Sequence, residues 1–240
     1  MAIKTILFDL DGTLLPMDQD IFIKEYFTRL AAKLAPFGYE PKKFIETIYS
    51  GVKAMVTNDG RYNNEKAFWN LFSSVYGEKA VEHQPIFLDF YENEFQQVQK
   101  SCGFKPQANE VIKLCKDKGL RVVLATNPLF PSIATESRMR WAGLNKDDFE
   151  YFTVYENSSY CKPNPKYYLE ILEKIGAAPK DCAMVGNDVG EDMIAETLGM
   201  KVFLLTDDLI NKKDADISVY PNGSFEQLKQ WIEENARVNI

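Results

Sequence analysis

Ile3-Lys4-Thr5-Ile6-Leu7-Phe8-Asp9-Leu10-Asp11-Gly12-Thr13-Leu14 is the stretch on which the fold turns. A short apolar run rich in β-branched and aromatic residues stops at two acids and a glycine. That is the pattern of a buried strand running into a turn. Side chains two residues apart on an extended backbone share a side, so Asp9 and Asp11 reach one place. Gly12 permits the turn that follows. One carboxylate of such a pair can act as a nucleophile and the other as acid and then base. An acidic turn capping a helix uses the same residue types, so the rest of the chain has to decide.

After Pro16 the texture changes for roughly 90 residues, counted by helical periodicity. Ile23, Phe27, Leu30 and Leu34 recur at helical spacing, as do Ile45, Ile48, Val52 and Met55. Phe68, Leu71, Phe72 and Val75 repeat the pattern, followed by Phe87, Phe90, Tyr91 and Phe95. Phe37-Gly38, Asn58-Asp59-Gly60 and Gly77 punctuate the block, where helices stop or turn. From about Pro106 strands and helices alternate. Strands are expected at 120–125, near 151–154, at 183–186 and at 202–205. Helices are expected at about 111–118, 132–141, 165–175, 192–198 and 225–235. Strands separated by helices of this length mean crossover units, and hence a parallel sheet covered on both faces. The fold class is therefore α/β, a Rossmann-like parallel sheet flanked by helices with an all-helical insertion after its first strand. Residues 1–16 and 105–240 form the discontinuous core, and residues 17–104 form the cap. The two core pieces together make about 150 residues, an ordinary domain size.

Composition narrows the function. The 240 residues are 45% hydrophobic and 26% charged, which is globular usage. Twenty-eight basic residues against 35 acidic ones leave a formal charge of −7. That argues against a nucleic-acid binder, whose affinity rests on basic surface meeting phosphate. A small anionic substrate stays open, because a pocket can be locally positive inside an acidic protein. No apolar window is long enough for a membrane span, and Asp9 comes too early for a signal peptide. Cys102, Cys115, Cys161 and Cys182 are widely spaced, fitting reduced thiols and a cytoplasmic location. With His83 the single histidine, catalysis must rest on carboxylates, lysine, hydroxyls or a metal. His83 itself reads as a surface or cap-packing residue.

In open parallel sheets ligands bind beyond the carboxyl ends of the strands. Polar residues fall there four times: Asp9 and Asp11, then Thr126 and Asn127, then Lys162, then Asp188 and Asp192. Phe8-Asp9-Leu10-Asp11-Gly12-Thr13-Leu14 resembles the first motif of the haloacid dehalogenase-like hydrolase superfamily. Leu124-Ala125-Thr126-Asn127 is similar to its second motif, and Cys161-Lys162-Pro163-Asn164-Pro165 to its third. Val185-Gly186-Asn187-Asp188-Val189-Gly190-Glu191-Asp192 resembles its fourth, with Gly-Asn-Asp where Gly-Asp is usual. The helical insertion sits where the family places its C1-type cap.

The resemblance implies roles. Asp9 would be the nucleophile and a magnesium ligand. Asp11 would be the general acid and base, with its backbone carbonyl also on the Mg²⁺. Thr126, helped by Asn127, would hydrogen-bond the phosphoryl group, and Lys162 would neutralise Asp9 and the phosphoryl oxygens. Asp188 would be the third protein ligand, favoured by spacing over Asp192. Asp192 would bind a metal-bound water or hold Lys162. The implied activity is magnesium-dependent hydrolysis of a small phosphorylated metabolite through an aspartyl-phosphate. A phosphoryl-transfer mutase of the β-phosphoglucomutase kind and a non-catalytic binder on this scaffold are the alternatives. Asp11 argues against a dehalogenase, which has no need of the second acid.

Linkers near 14–17 and 103–106 should hinge the cap over the strand ends. The turn Asn58-Asp59-Gly60-Arg61 is either a solvated turn or the segment that brings Arg61 to the substrate. Lys212-Lys213-Asp214 reads as a solvated turn.

Overall fold

The computed structural model describes residues 2–236. Strand β1 (Thr5–Phe8) is the centre of a six-stranded sheet with β2 (Arg121–Leu124), β3 (Tyr151–Phe152), β4 (Cys182–Gly186), β5 (Lys201–Leu205) and β6 (Asn222–Gly223). The order is β3-β2-β1-β4-β5-β6 and every pairing is parallel. β6 is an addition to the expected set. Its two residues pair with Leu204 and Leu205, too short a stretch to leave any alternation in the sequence.

The sheet is buried on both sides because its residues alternate between two apolar layers. Ile6 and Phe8 of β1 and Phe203 and Leu205 of β5 belong to one. Leu7, Val202 and Leu204 belong to the other. Against the first lie helices α5 (Pro106–Asp117), α6 (Ser132–Trp141) and α8 (Phe225–Asn235). Against the second lies α7 (Pro165–Ile175), beside the segment Met193–Leu198. That segment was expected as an α-helix and is instead a run of 3₁₀ turns. It has six residues before Gly199 turns left-handed at φ +84°, too few to sustain α-helical bonding.

Between β1 and α5 comes the helical block, with α1 (Gln19–Leu34), α2 (Pro41–Val56), α3 (Asn64–Tyr76) and α4 (Gln84–Glu92). Aromatic rings fill it. Phe72 is fully buried, and its ring lies 5.3–6.3 Å from those of Phe44, Trp69 and Phe87. Edge-to-face pairs of this kind add to the burial of the rings themselves. His83 packs here too, its Nδ1 2.7 Å from the Tyr39 hydroxyl. The chain enters and leaves the block side by side. Met17 and Cys102 form an antiparallel bridge, and Gly103 N–H donates to the Pro16 carbonyl at 2.7 Å. Among the described residues no helix is long and apolar enough to cross a membrane.

Candidate active site

The sheet order sets the location. From β1 the chain builds outward to β2 and β3, then returns to build β4, β5 and β6 on the other side. The carboxyl ends of β1 and β4 therefore flank the switch point, where α/β sheets open a crevice. Both sides of β1 are tied at that end: Asp9 N–H donates to Val185 O at 2.9 Å, and Ala125 N–H to Phe8 O at 2.7 Å.

A cavity of about 190 Å³ opens there, bordered by Asp9, Asp11, Thr126, Asn127, Asp188 and Asp192. Asp9 is 7% exposed. Its Oδ1 accepts from Lys162 Nζ at 2.8 Å and its Oδ2 from the Thr13 hydroxyl at 3.1 Å. Lys162 does not itself border the cavity surface, but its ammonium is buried behind Asp9 and donates to Asp192 Oδ1 at 2.6 Å. Burial pulls the Lys162 pKa down; Asp192 and Asp9 outweigh that and hold it well above the usual lysine value. Burial pushes the Asp192 carboxyl up, against the pull of Lys162 in the other direction. Of the two placements implied for Asp192, its geometry is the one bonded to Lys162.

Helix α7 starts three residues after Lys162. The Lys162–Pro163 peptide is cis. Asn164 then caps α7 by accepting from Lys166 N–H, and Pro165 opens the helix, where its missing N–H costs nothing. Two glycines are required by close approach. At Gly12 (φ +83°) a Cβ would lie 2.3 Å from Asn187 Nδ2, and at Gly186 one would lie 2.0 Å from Asp192 Oδ2.

Thr126 is buried, its carbonyl held by the hydroxyls of Thr153 and Tyr167 at 2.6 and 2.8 Å. Asn127 turns its amide nitrogen to Glu191 Oε2 at 3.1 Å. Asp188 Oδ1 accepts from the Gly190 and Glu191 N–H groups at 2.7 and 3.0 Å. Asn187, Glu191 and Lys212 also border the cavity. Asn187 is buried, accepting from the Thr13 hydroxyl at 3.0 Å. Lys212 is exposed at the rim, so the turn that reads as merely solvated also reaches the site.

Arg138 was absent from the expected set. This residue of α6 is wholly buried, pairs with Asp11 Oδ2 and stacks its guanidinium 4.4 Å from the centre of the Phe130 ring. Burial raises the Asp11 pKa, Arg138 opposes that, and Asp9 adds to the rise. No sequence pattern marked Arg138, because α6 buries the polar Thr135 and Ser137 along with Ala134 and Trp141.

The Asn58–Arg61 turn takes the first of its two readings. Arg61 has 72% of its side chain exposed and pairs with Asp59. The turn rests on Tyr160, whose hydroxyl donates to Asp59 O at 3.3 Å, and it takes no part in the cavity wall.

The donors are hard oxygens, and Asp11 Oδ1 and Asn127 Oδ1 are buried without a partner. That chemistry fits a hard divalent cation. Among the described residues no three acidic, histidine or cysteine side chains form a ready metal cage. A cation held by one or two carboxylates, with water and substrate oxygens completing its shell, needs none.

A family model for haloacid dehalogenase-like hydrolases matches residues 3–195. The chain is similar to a glyceraldehyde 3-phosphate phosphatase of Methanothermobacter thermautotrophicus, 25% identical over 96% of this chain and 100% of that one. Hexitol phosphatase B of Escherichia coli is 28% identical over 43% of this chain and 46% of its own. The solved structure of a HAD phosphatase from Thermococcus onnurineus superposes with a TM-score of 0.61 at 18% identity, covering 98% of this chain and 100% of that one.

Proposed function

The chain belongs to the haloacid dehalogenase-like hydrolases, and from that membership we propose that it is a magnesium-dependent phosphomonoesterase acting on a small phosphorylated metabolite. One observation carries the reading: Lys162 joins Asp9 to Asp192 in a buried triad while Asp11, two residues on, borders the same cavity. A nucleophile held against a cation, beside a second carboxyl group, is what two-step phosphoryl transfer needs.

Asp9 attacks phosphorus, its oxygen forming a new bond as the ester oxygen leaves. Asp11 gives that leaving oxygen a proton. It then takes a proton from a water, whose oxygen attacks the aspartyl-phosphate, releasing phosphate and restoring Asp9. Lys162 holds Asp9 in position and offsets negative charge on the phosphoryl oxygens. Thr126 and Asn127 border the space these oxygens enter. Charge in a loose transition state spreads over those oxygens, so fixed donors and cations govern the rate.

Asp9, the Asp11 carbonyl and Asp188 would hold Mg²⁺, which supplies the positive charge a phosphate needs in a cavity bordered by five carboxylates. Asp192 stays with Lys162 behind them. The helical cap, residues 17–104, covers the strand ends and keeps water from the reacting centre. The purified protein should release phosphate from phosphomonoesters with Mg²⁺ present and lose that activity with EDTA. Asp9→Asn should abolish it. Unchanged release with EDTA would remove the metal from the account, and full activity of Asp9→Asn would remove the nucleophile.

A further inference from the structure

Under the cap lies a second cavity, of about 160 Å³, that the catalytic steps above do not use. Ile23 of α1 and Leu129 and Phe130 of the loop before α6 border both it and the cavity at Asp9. Beyond those three side chains most of the wall is built by the cap, with Val52 and Met55 of α2 and Trp69 of α3, and Pro131 and Tyr155 of the core complete it. Among the described residues it has no charged side chain in its lining. The Tyr26 and Tyr91 hydroxyls in that lining lie 2.8 Å apart and satisfy each other. Trp69 Nε1 is buried in the same lining without a partner, so a guest meets few free hydrogen-bonding groups.

We infer that this cavity receives the leaving group of the substrate, and that the substrate is the phosphate ester of an apolar alcohol carrying one aromatic ring or a branched alkyl group of similar size. The inference rests on the phosphatase reading and adds the substrate class to it. An ester whose phosphorus sits at Asp9 extends past Ile23, Leu129 and Phe130 into the apolar space. Size agrees, since apolar cavities of about 150 Å³ take up a benzene ring. Chemistry selects as well. A polyol phosphate would bury several hydroxyls where, among the described residues, Trp69 Nε1 is the one buried side-chain group of the lining left without a partner, at a cost a ring does not incur. Ile23 and Tyr49, bordering the cavity, are 37% and 51% exposed, so its mouth offers an entrance of the same apolar character.

The test compares phosphate release with Mg²⁺ from 2-phenylethyl phosphate, sorbitol 6-phosphate and acetyl phosphate. Trp69 fluorescence in the presence of 2-phenylethanol is read in parallel. The expected result is a kcat/KM for 2-phenylethyl phosphate about tenfold or more above that for sorbitol 6-phosphate, the scale on which apolar pockets discriminate. Val52→Phe, which fills the cavity, should shrink that ratio toward one. 2-Phenylethanol should quench the wild-type fluorescence, and Trp69→Phe should lose the quench. Cleavage of acetyl phosphate with sorbitol 6-phosphate equal or preferred to 2-phenylethyl phosphate would overturn the inference and leave the phosphatase reading standing. If neither ester nor acetyl phosphate is cleaved, the phosphatase reading falls. The alcohol titration then decides on the cavity alone: quenching keeps it as an apolar-ligand site, and its absence removes it.

Discussion

Arg138 carries a buried charge whose main ionic partner is Asp11. A guanidinium out of water persists only where paired and stacked, and here the Thr135 hydroxyl at 3.2 Å and the Phe130 ring complete its surroundings. Its consequence for Asp11 is positional: one carboxyl oxygen is fixed, and the other, Oδ1, stays unpaired beside the cavity. Arg138→Met should therefore lower kcat by about 100-fold, the penalty for a catalytic group displaced by about 1 Å. Its stability should fall by about 3 kcal/mol for the broken buried pair. Steady-state kinetics with urea unfolding separates the two effects, and a variant with wild-type kcat would deny Arg138 any hold on the reaction.

Thiols give a second residue-scale prediction. Burial pushes Cys115 and Cys161 up to about 12, whereas an unfolded thiol titrates near about 8.5. The nucleophile is the thiolate, and at neutral pH these pKa values leave almost none of it. N-ethylmaleimide should spare both residues in the folded protein and label both in denaturant, as read by peptide mass spectrometry. Rapid labelling of folded Cys161 would mean that the loop around Lys162 opens. Asp9 stood out in the sequence because it ends an apolar strand run, whereas Lys162 and Asp192 were singled out by the resemblance of their motifs. Arg138 was not, because Arg138 and Arg140 both sit in the last turn of α6, where basic residues favour the helix dipole on the surface. Which of the two points inward depends on the packing of α6 against the sheet and the cap.

Among the elements, α3 joins cap to core. Asn64, fully buried at its start, donates to Pro128 O at 3.3 Å and to Cys161 Sγ at 3.2 Å. Its N–H and that of Glu65 donate to Ser158 O and Tyr155 O at 2.8 and 2.9 Å. These bonds fasten the start of α3 to the loop segments around Lys162. Asn64→Ala leaves buried acceptors without a donor, so it should cost about 1–3 kcal/mol in a urea denaturation series. A change below about 0.5 kcal/mol, the size of an ordinary surface substitution, would show that the tie carries no weight. Strands β1, β2, β4 and β5 were readable from continuous apolar runs because both faces of each are buried. β6 was not, since Asn222 and Gly223 join the sheet through backbone pairing with β5 and no side-chain pattern records that.

At the scale of the whole molecule, charge and apolar surface are sorted by place. A chain of formal charge −7 sets five of its 35 acids around one crevice and buries Lys162 and Arg138 behind them. A continuous apolar cluster runs from Phe8 in the sheet to Phe72 in the cap, so the helical block shares its packing with the layer below. That the stretch between β1 and α5 is helical was readable from its periodicity. That its aromatic residues leave a cavity next to the acids could not be read there, because the space between four helices depends on how they cross.

Phosphoryl transfer to Asp9 is the central claim. Its most direct test is to quench the enzyme in acid during turnover of a phosphate ester with Mg²⁺, digest it, and locate any phosphoryl adduct by mass spectrometry. The account predicts an adduct on the peptide containing Asp9, absent from Asp9→Asn. A phosphoryl group found on another residue, or Asp9→Asn turning over at the wild-type rate, would contradict it.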